Sequence, residues 1–218
     1  MYSIFADASE DSSYSVNANI LSIDDYLAAQ KELDDVTPNF FLHKEILKLT
    51  FAMGYRMGLR ASEIRFLEKK DLIQMADDWI LQIQENDTRG LKTDNAQRFM
   101  SVKEHFNDHE IQLLLNYLDE AQTHPAYAHN PFLFCNHDET LKLSYQNVNR
   151  KRKLKPLPIS EDELFVQIMA IVRQVSKDTS LKFHQCRHSF ASFEFLSMFD
   201  AQFSLNIGRL YFSHQPET

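Results

Sequence analysis

Two cysteines in 218 residues, Cys135 and Cys186, are too few and too far apart to form a disulfide framework, which removes the covalently stapled secreted classes and suits a reducing compartment. Both read as small apolar residues. A signal peptide is also missing: Met1 to Asn19 lacks the basic-then-apolar layout, and no run of about 18 apolar residues exists to span a bilayer. The sequence therefore predicts a soluble, cytoplasmic protein with no membrane partner. A basic surplus is lacking as well. Lysine and arginine number 23 against 31 acidic residues, a formal net charge of −8, which counts against a protein that coats DNA through phosphate contacts. An enzyme that works at one DNA site can still be acidic overall if its cations are grouped. From Arg150 to Lys155 five of six residues are basic: Arg150, Lys151, Arg152, Lys153 and Lys155.

What is present is a large apolar fraction, 44% of the residues, enough to bury one sizeable core without staples. Residues 1–20 are polar and rich in serine and acid (Glu10, Asp11, Ser12, Ser13) and read as an arm or linker that cannot repay the entropy of folding alone. Thr37-Pro38 offers an N-cap and a first-turn proline, and Phe41, Leu42, Ile46, Leu47 and Phe51 recur at helical spacing, which predicts a buried helix over 38–57. Gly58 interrupts it. Ala61-Ser62-Glu63-Ile64 starts a second short helix with Ile64 and Leu67 toward the core.

The pattern turns β-like at Trp79-Ile80-Leu81-Gln82-Ile83 and again at Arg98-Phe99-Met100-Ser101-Val102, a small antiparallel hairpin or three-stranded sheet. Helical periodicity returns over 108–122 through Ile111, Leu114, Leu115 and Leu118, and Pro125 and Pro131 bracket a loop, as do Pro156 and Pro158. Ser160 with Glu163 forms a capping box for a helix whose apolar face is Leu164, Ile168, Ile171, Val172 and Val175. The phenylalanines from Phe190 to Phe199 mark a last helix and read as core. The expected fold is mainly α with a small antiparallel β-sheet, in one domain over 21–218.

Moving a phosphodiester through its pentavalent transition state requires donors around the non-bridging oxygens, a proton donor for the leaving 5′ oxygen and a nucleophile. Arginine suits the first task because its planar fork carries charge and two aligned hydrogen bonds. Lysine and histidine suit the second. Four segments supply such groups: Gly58-Leu59-Arg60-Ala61-Ser62-Glu63, Leu91-Lys92-Thr93-Asp94, His184-Gln185-Cys186-Arg187-His188-Ser189-Phe190-Ala191, and Leu210-Tyr211-Phe212-Ser213-His214 before Thr218. On a helix, His184 and Arg187 share one face.

In their order and content these segments resemble the tyrosine recombinase, or phage integrase, family over about residues 38–218. The first resembles its G-L-R-x-x-E corner, the second its lysine-bearing β-hairpin, the third its H-x-x-R-H-x-F-A motif, and the last its L-G-H segment, with Ser213 where glycine is usual and Cys186 where leucine is common. The resemblance implies the fold of that family's DNA breaking and rejoining catalytic domain and site-specific recombination or integration through a 3′-phosphotyrosyl intermediate. Arg60, Arg187, His184 and His214 would hold the scissile phosphate, and Lys92 would protonate the leaving oxygen. The family needs no cofactor and no metal. Its partner is double-stranded DNA, on which the full-length protein would act as a tetramer; this chain by itself is expected to be a monomer.

The family's tyrosine follows the last histidine by roughly two to three helical turns. Tyr211 precedes His214 and does not fit that order, so the catalytic domain is expected to be incomplete at its C-terminus and this chain to be inactive in cleavage. The basic run from Arg150 to Lys155 is a solvated loop or a tracker of DNA phosphates. Two other readings stand beside the enzyme: a DNA-binding or regulatory remnant of an integrase, and a helical protein-interaction domain. The pairs His184/His188 and His105/His109 could each face a metal but lack a third ligand motif.

Overall fold

The computed structural model describes residues 20–36, 44–86, 89–90, 97–135, 143–148, 151–195 and 197–198. At its centre lies helix α2 (Lys44–Arg56). Ile46, Leu47, Leu49, Phe51, Ala52 and Met53 are all buried, and so is Lys48. A helix buried around most of its circumference belongs in a core. Lys48 Nζ meets Asp34 Oδ1 at 2.7 Å, which gives the buried ammonium its counter-charge.

Before it runs α1 (Ile23–Glu32), capped by Ser22, whose Oγ accepts from Asp25 N at 3.1 Å. Tyr26, Ala29 and Leu33 bury one stripe of it against α2 and against α7 (Gln167–Ser176). Tyr26 stacks on Tyr55 at 4.1 Å and donates to Glu110 Oε1 at 2.5 Å, and Arg56 Nε reaches the same oxygen at 3.2 Å. Glu110 belongs to α5 (Asp108–Thr123), so one carboxylate joins three helices. Burial, then the negative charge of Glu110, pushes the Tyr26 phenol far above its ordinary range.

A short α3 (Ala61–Arg65) follows the Gly58 corner, with Ile64 and Leu67 buried as the periodicity predicts. The sheet is three-stranded and antiparallel in the order β1 (Leu72–Met75), β2 (Asp78–Ile83), β3 (Arg98–Ser101). Its register aligns Leu72 with Leu81 and Leu81 with Met100, a buried row facing the core. A one-turn helix α4 (Val102–His105) links it to α5. The capping box at Ser160 forms as expected: Glu163 N donates to Ser160 Oγ at 3.1 Å and Ser160 N to Glu163 Oε2 at 3.0 Å. The first turn, Asp162–Val166, is a π-helix before α7 begins. Residues 184–195 form the last described helix, α8.

Four local expectations change. Residues 125–131 hold a helical turn, α6 (Pro125–His129), because proline at a first helical position is pre-organised for a helix. The basic run is no loop: β5 (Lys151–Pro156) pairs antiparallel with β4 (Leu143–Val148), Ser144 opposite Lys155 and Val148 opposite Lys151. The phenylalanines of α8 split. Phe190 packs on the core, whereas Phe195 is 60% exposed and Phe193, though edge-on to Tyr55 of α2 at 5.9 Å, is 38% exposed, since at about 100° per residue only one stripe of the helix can be buried. Phe199 and the Thr37-Pro38 cap lie outside the described residues. Finally, α1 occupies residues for which no helix was expected.

Both cysteines are buried and unpaired, as their apolar reading implies. Burial pushes their thiols up to about 11 for Cys135 and about 12 for Cys186, so neither is a thiolate near neutrality. Among the described residues no helix is long and apolar enough to cross a membrane.

Candidate active site

The site is built on the corner where α2 ends. Gly58 takes φ +61°, a left-handed conformation that glycine adopts without steric cost. It also makes room: a Cβ at Gly58 would lie 2.4 Å from Phe190 Cδ1, so α8 closes on the corner only because no side chain is there. Two residues later Arg60 caps α3. Its backbone N–H donates to Glu63 Oε2 at 2.8 Å and its guanidinium NH1 to Glu63 Oε1 at 2.8 Å. The G-L-R-x-x-E spacing thus has a local cause. An acid three residues beyond the cap turns back onto it.

Arg98, from β3, meets the same carboxylate from the other side, NH2 to Oε2 at 2.7 Å and NH1 to Oε1 at 3.3 Å. Glu63 is buried, its side chain 3% exposed. Burial alone would raise its pKa, but the hydrogen bonds from Arg98 and from the Arg60 backbone outweigh it and hold the carboxyl below the usual range. A carboxylate whose folded pKa lies below its unfolded one adds stability above the unfolded value, near 4, and loses it as pH falls through the folded value. Glu63→Gln is therefore expected to destabilise the protein at neutral pH and progressively less below pH about 4. Urea unfolding at both ends of that window checks this; an equal loss at neutral and acid pH would contradict it.

Arg187 comes from the first turn of α8, and its NH1 donates to Gly58 O at 2.8 Å, a contact across 129 residues of sequence. The clamp arginines predicted from two distant motifs are joined through one corner. Burial, then the nearby guanidiniums of Arg60 and Arg98, lowers the Arg187 pKa, with Glu63 acting the other way. Guanidinium stays charged regardless. What the direction reports is convergence: three guanidiniums around one carboxylate leave a surplus of positive charge that suits a phosphodiester. Beside them opens a cleft of about 390 Å³, lined by Arg98, Arg187 and His105 with Met57, Phe99 and Phe190.

His184 is exposed at the start of α8, and its ring meets His188 edge-on, 4.6 Å between centroids. Lys92, His214 and Arg150 lie outside the described residues. Lys151, Arg152, Lys153 and Lys155 are placed by the backbone in β5. Among the described residues no group of three or more His, Cys, Asp or Glu side chains is set to hold a metal ion. Sequence reasoning passed over Arg98 and left Glu63 without a task. Inward placement opposite Ile83 was the available signal for Arg98, and it becomes visible only once the register of β2 and β3 is known.

The profile of the phage integrase family matches residues 29–202. Among solved structures, the fold is similar to that of the XerH site-specific recombinase bound to its difH substrate in a pre-cleavage complex, with a TM-score of 0.56 at 18% identity over 82% of this chain and 43% of that one. It is also similar to XerH on a palindromic difH substrate after cleavage, with a TM-score of 0.53 at 18% identity over 79% and 40% of the two chains. The chain thus spans less than half the length of these recombinases. No curated protein matches the sequence.

Proposed function

The chain belongs to the phage integrase family, and from that membership we propose that it is the catalytic domain of a site-specific DNA recombinase that cuts and rejoins strands through a 3′-phosphotyrosyl link. Arg60 and Arg187 hold the non-bridging oxygens of the scissile phosphate, with His184 and His214 beside them. A tyrosine oxygen attacks phosphorus, the bond to the 5′ oxygen breaks, and Lys92 gives that oxygen its proton. The reverse steps with a new 5′ hydroxyl reseal the strand, so the phosphotyrosine conserves the bond and no cofactor is consumed.

The observation that carries this reading is the Arg187–Gly58 hydrogen bond, which ties the H-x-x-R helix to the corner that presents Arg60. Pre-organised donors of this kind contribute to a charged transition state because they need no rearrangement during the reaction. Double-stranded DNA is the partner, and the basic strand from Lys151 to Lys155, with Arg150 before it, follows its phosphates. In isolation the chain is expected to bind DNA as a monomer. The tetramer forms on paired sites with the nucleophile in place.

The test is covalent capture. A form of the protein that includes the nucleophilic tyrosine, incubated with its duplex site in EDTA, is expected to yield a protein–DNA adduct resistant to denaturant, and Arg187→Gln to lower the rate of its formation about 10²–10³-fold. Loss of the adduct on chelation would overturn the mechanism.

A further inference from the structure

We infer that Arg98 is a positioning residue of this site: by occupying one side of the Glu63 carboxylate it fixes the direction in which Arg60 presents its guanidinium to the phosphate. The inference rests on the phosphate-holding role proposed for Arg60.

Glu63 offers about four lone-pair sites, and four donors fill them. Each oxygen takes one donor from each arginine: Oε1 accepts from Arg60 NH1 at 2.8 Å and Arg98 NH1 at 3.3 Å, and Oε2 from Arg60 N at 2.8 Å and Arg98 NH2 at 2.7 Å. The terminal torsion of a glutamate is broad and two-fold, so a carboxylate held from one side can rotate. The Arg98 fork on the one hand and the Arg60 backbone N–H and NH1 on the other stop that rotation. The fixed Oε1 then sets the direction in which Arg60 NH1 is held.

The two arginines stand on unequal platforms. Arg60 caps a helix of only five residues. Arg98 sits in β3 opposite Ile83, two residues from Met100, which is buried against Leu81. Strand register is the more rigid reference, and a supporting group placed on it keeps a flexible neighbour in one geometry. Arg98 also lines the cleft, and its fork on Glu63 uses two of the five guanidinium N–H groups, so a double-mutant cycle is needed to separate action through Arg60 from direct contact with DNA.

Two measurements on the folded protein test this. The first is the side-chain Nε–H NMR signal of Arg60, identified by its loss in Arg60→Lys. In Arg98→Met it is expected to move and to exchange with water several-fold faster. Arg98→Lys, which keeps the charge but lacks the fork, is expected to do nearly the same. An unmoved signal in Arg98→Met, or full restoration by Arg98→Lys, overturns the inference.

The second is binding to a fluorescein-labelled duplex in a double-mutant cycle. Arg60→Met is expected to weaken affinity about tenfold and Arg98→Met by most of that, while Arg60→Met/Arg98→Met should bind no more weakly than Arg60→Met. Additive losses would mean that Arg98 touches DNA itself and would overturn the positioning role. If Arg60→Met binds DNA as the unaltered protein does, the proposed function of Arg60 fails, and the NMR measurement still decides Arg98. Should Arg98→Met not fold, Arg98→Gln carries both measurements.

Discussion

Arg89→Met is expected to cost the fold about 3–5 kcal/mol, the penalty for leaving a buried charge without its partner. Arg89 and Asp71 are 1% and 0% exposed and approach to 3.1 Å. The guanidinium also serves backbone: Nε and NH2 donate to Gln84 O at 2.9 and 2.7 Å, and NH1 to Phe66 O at 3.3 Å. Methionine fills comparable volume but answers none of these acceptors. Burial already pushes the Asp71 carboxyl above its ordinary range, with the Glu68 N–H and Arg89 opposing, so the pocket holds this charge at a cost even when paired. Adding Asp71→Asn to Arg89→Met should therefore recover part of the loss. Urea midpoints of the two single variants and the double variant decide it; a cost for Arg89→Met under about 1 kcal/mol would show that water solvates Asp71 freely. The pair sits at the root of the segment leading to Lys92, three residues beyond Arg89.

Gly58→Ala is expected to lose about 2–5 kcal/mol and to weaken DNA binding as well. A non-glycine residue at φ +61° costs about 1–2 kcal/mol. To this is added the Phe190 ring, whose Cδ1 would stand 2.4 Å from the new Cβ and must move, an overpacking of about 1–3 kcal/mol. Phe190 lies on α8 with Arg187, whose hydrogen bond ends on the Gly58 carbonyl. Displacing the ring therefore displaces the clamp. Gly54→Ala makes the control. Its Cβ would meet Phe183 Cζ at 2.5 Å, yet Gly54 is helical and carries no left-handed penalty, so DNA affinity should fall less than in Gly58→Ala. Equal losses of affinity would detach Gly58 from the clamp.

Much of the fold could be read before the structure, and the exceptions share a cause. Helix α2 was legible because Ile46, Leu47 and Phe51 continue the helical spacing set by Phe41 and Leu42. Helix α1 was not, since it buries only Tyr26, Ala29 and Leu33 while Ile23 and Leu27 stay exposed, which blurs its periodicity. Strand β1 is four residues long and is held by its pairing with β2 more than by any preference of its own. The basic run gave no sign of a strand because charge, not alternation, dominates it. Its place in β5 comes from pairing with β4.

The same division runs through the site. By itself the sequence determined the family and the Gly58 corner, and it offered Arg60 and Arg187 as candidates, because each depends on residue type or on spacing within one or two turns. Only the tertiary structure decided that Arg187 ends on the Gly58 carbonyl, that Arg98 shares Glu63 with Arg60, and that Arg89 and Asp71 form a buried pair. Those contacts join elements whose separation along the chain carries no record of their distance in space. They form because the core and the strand register bring the elements together, and a buried charge then has to find its partner there.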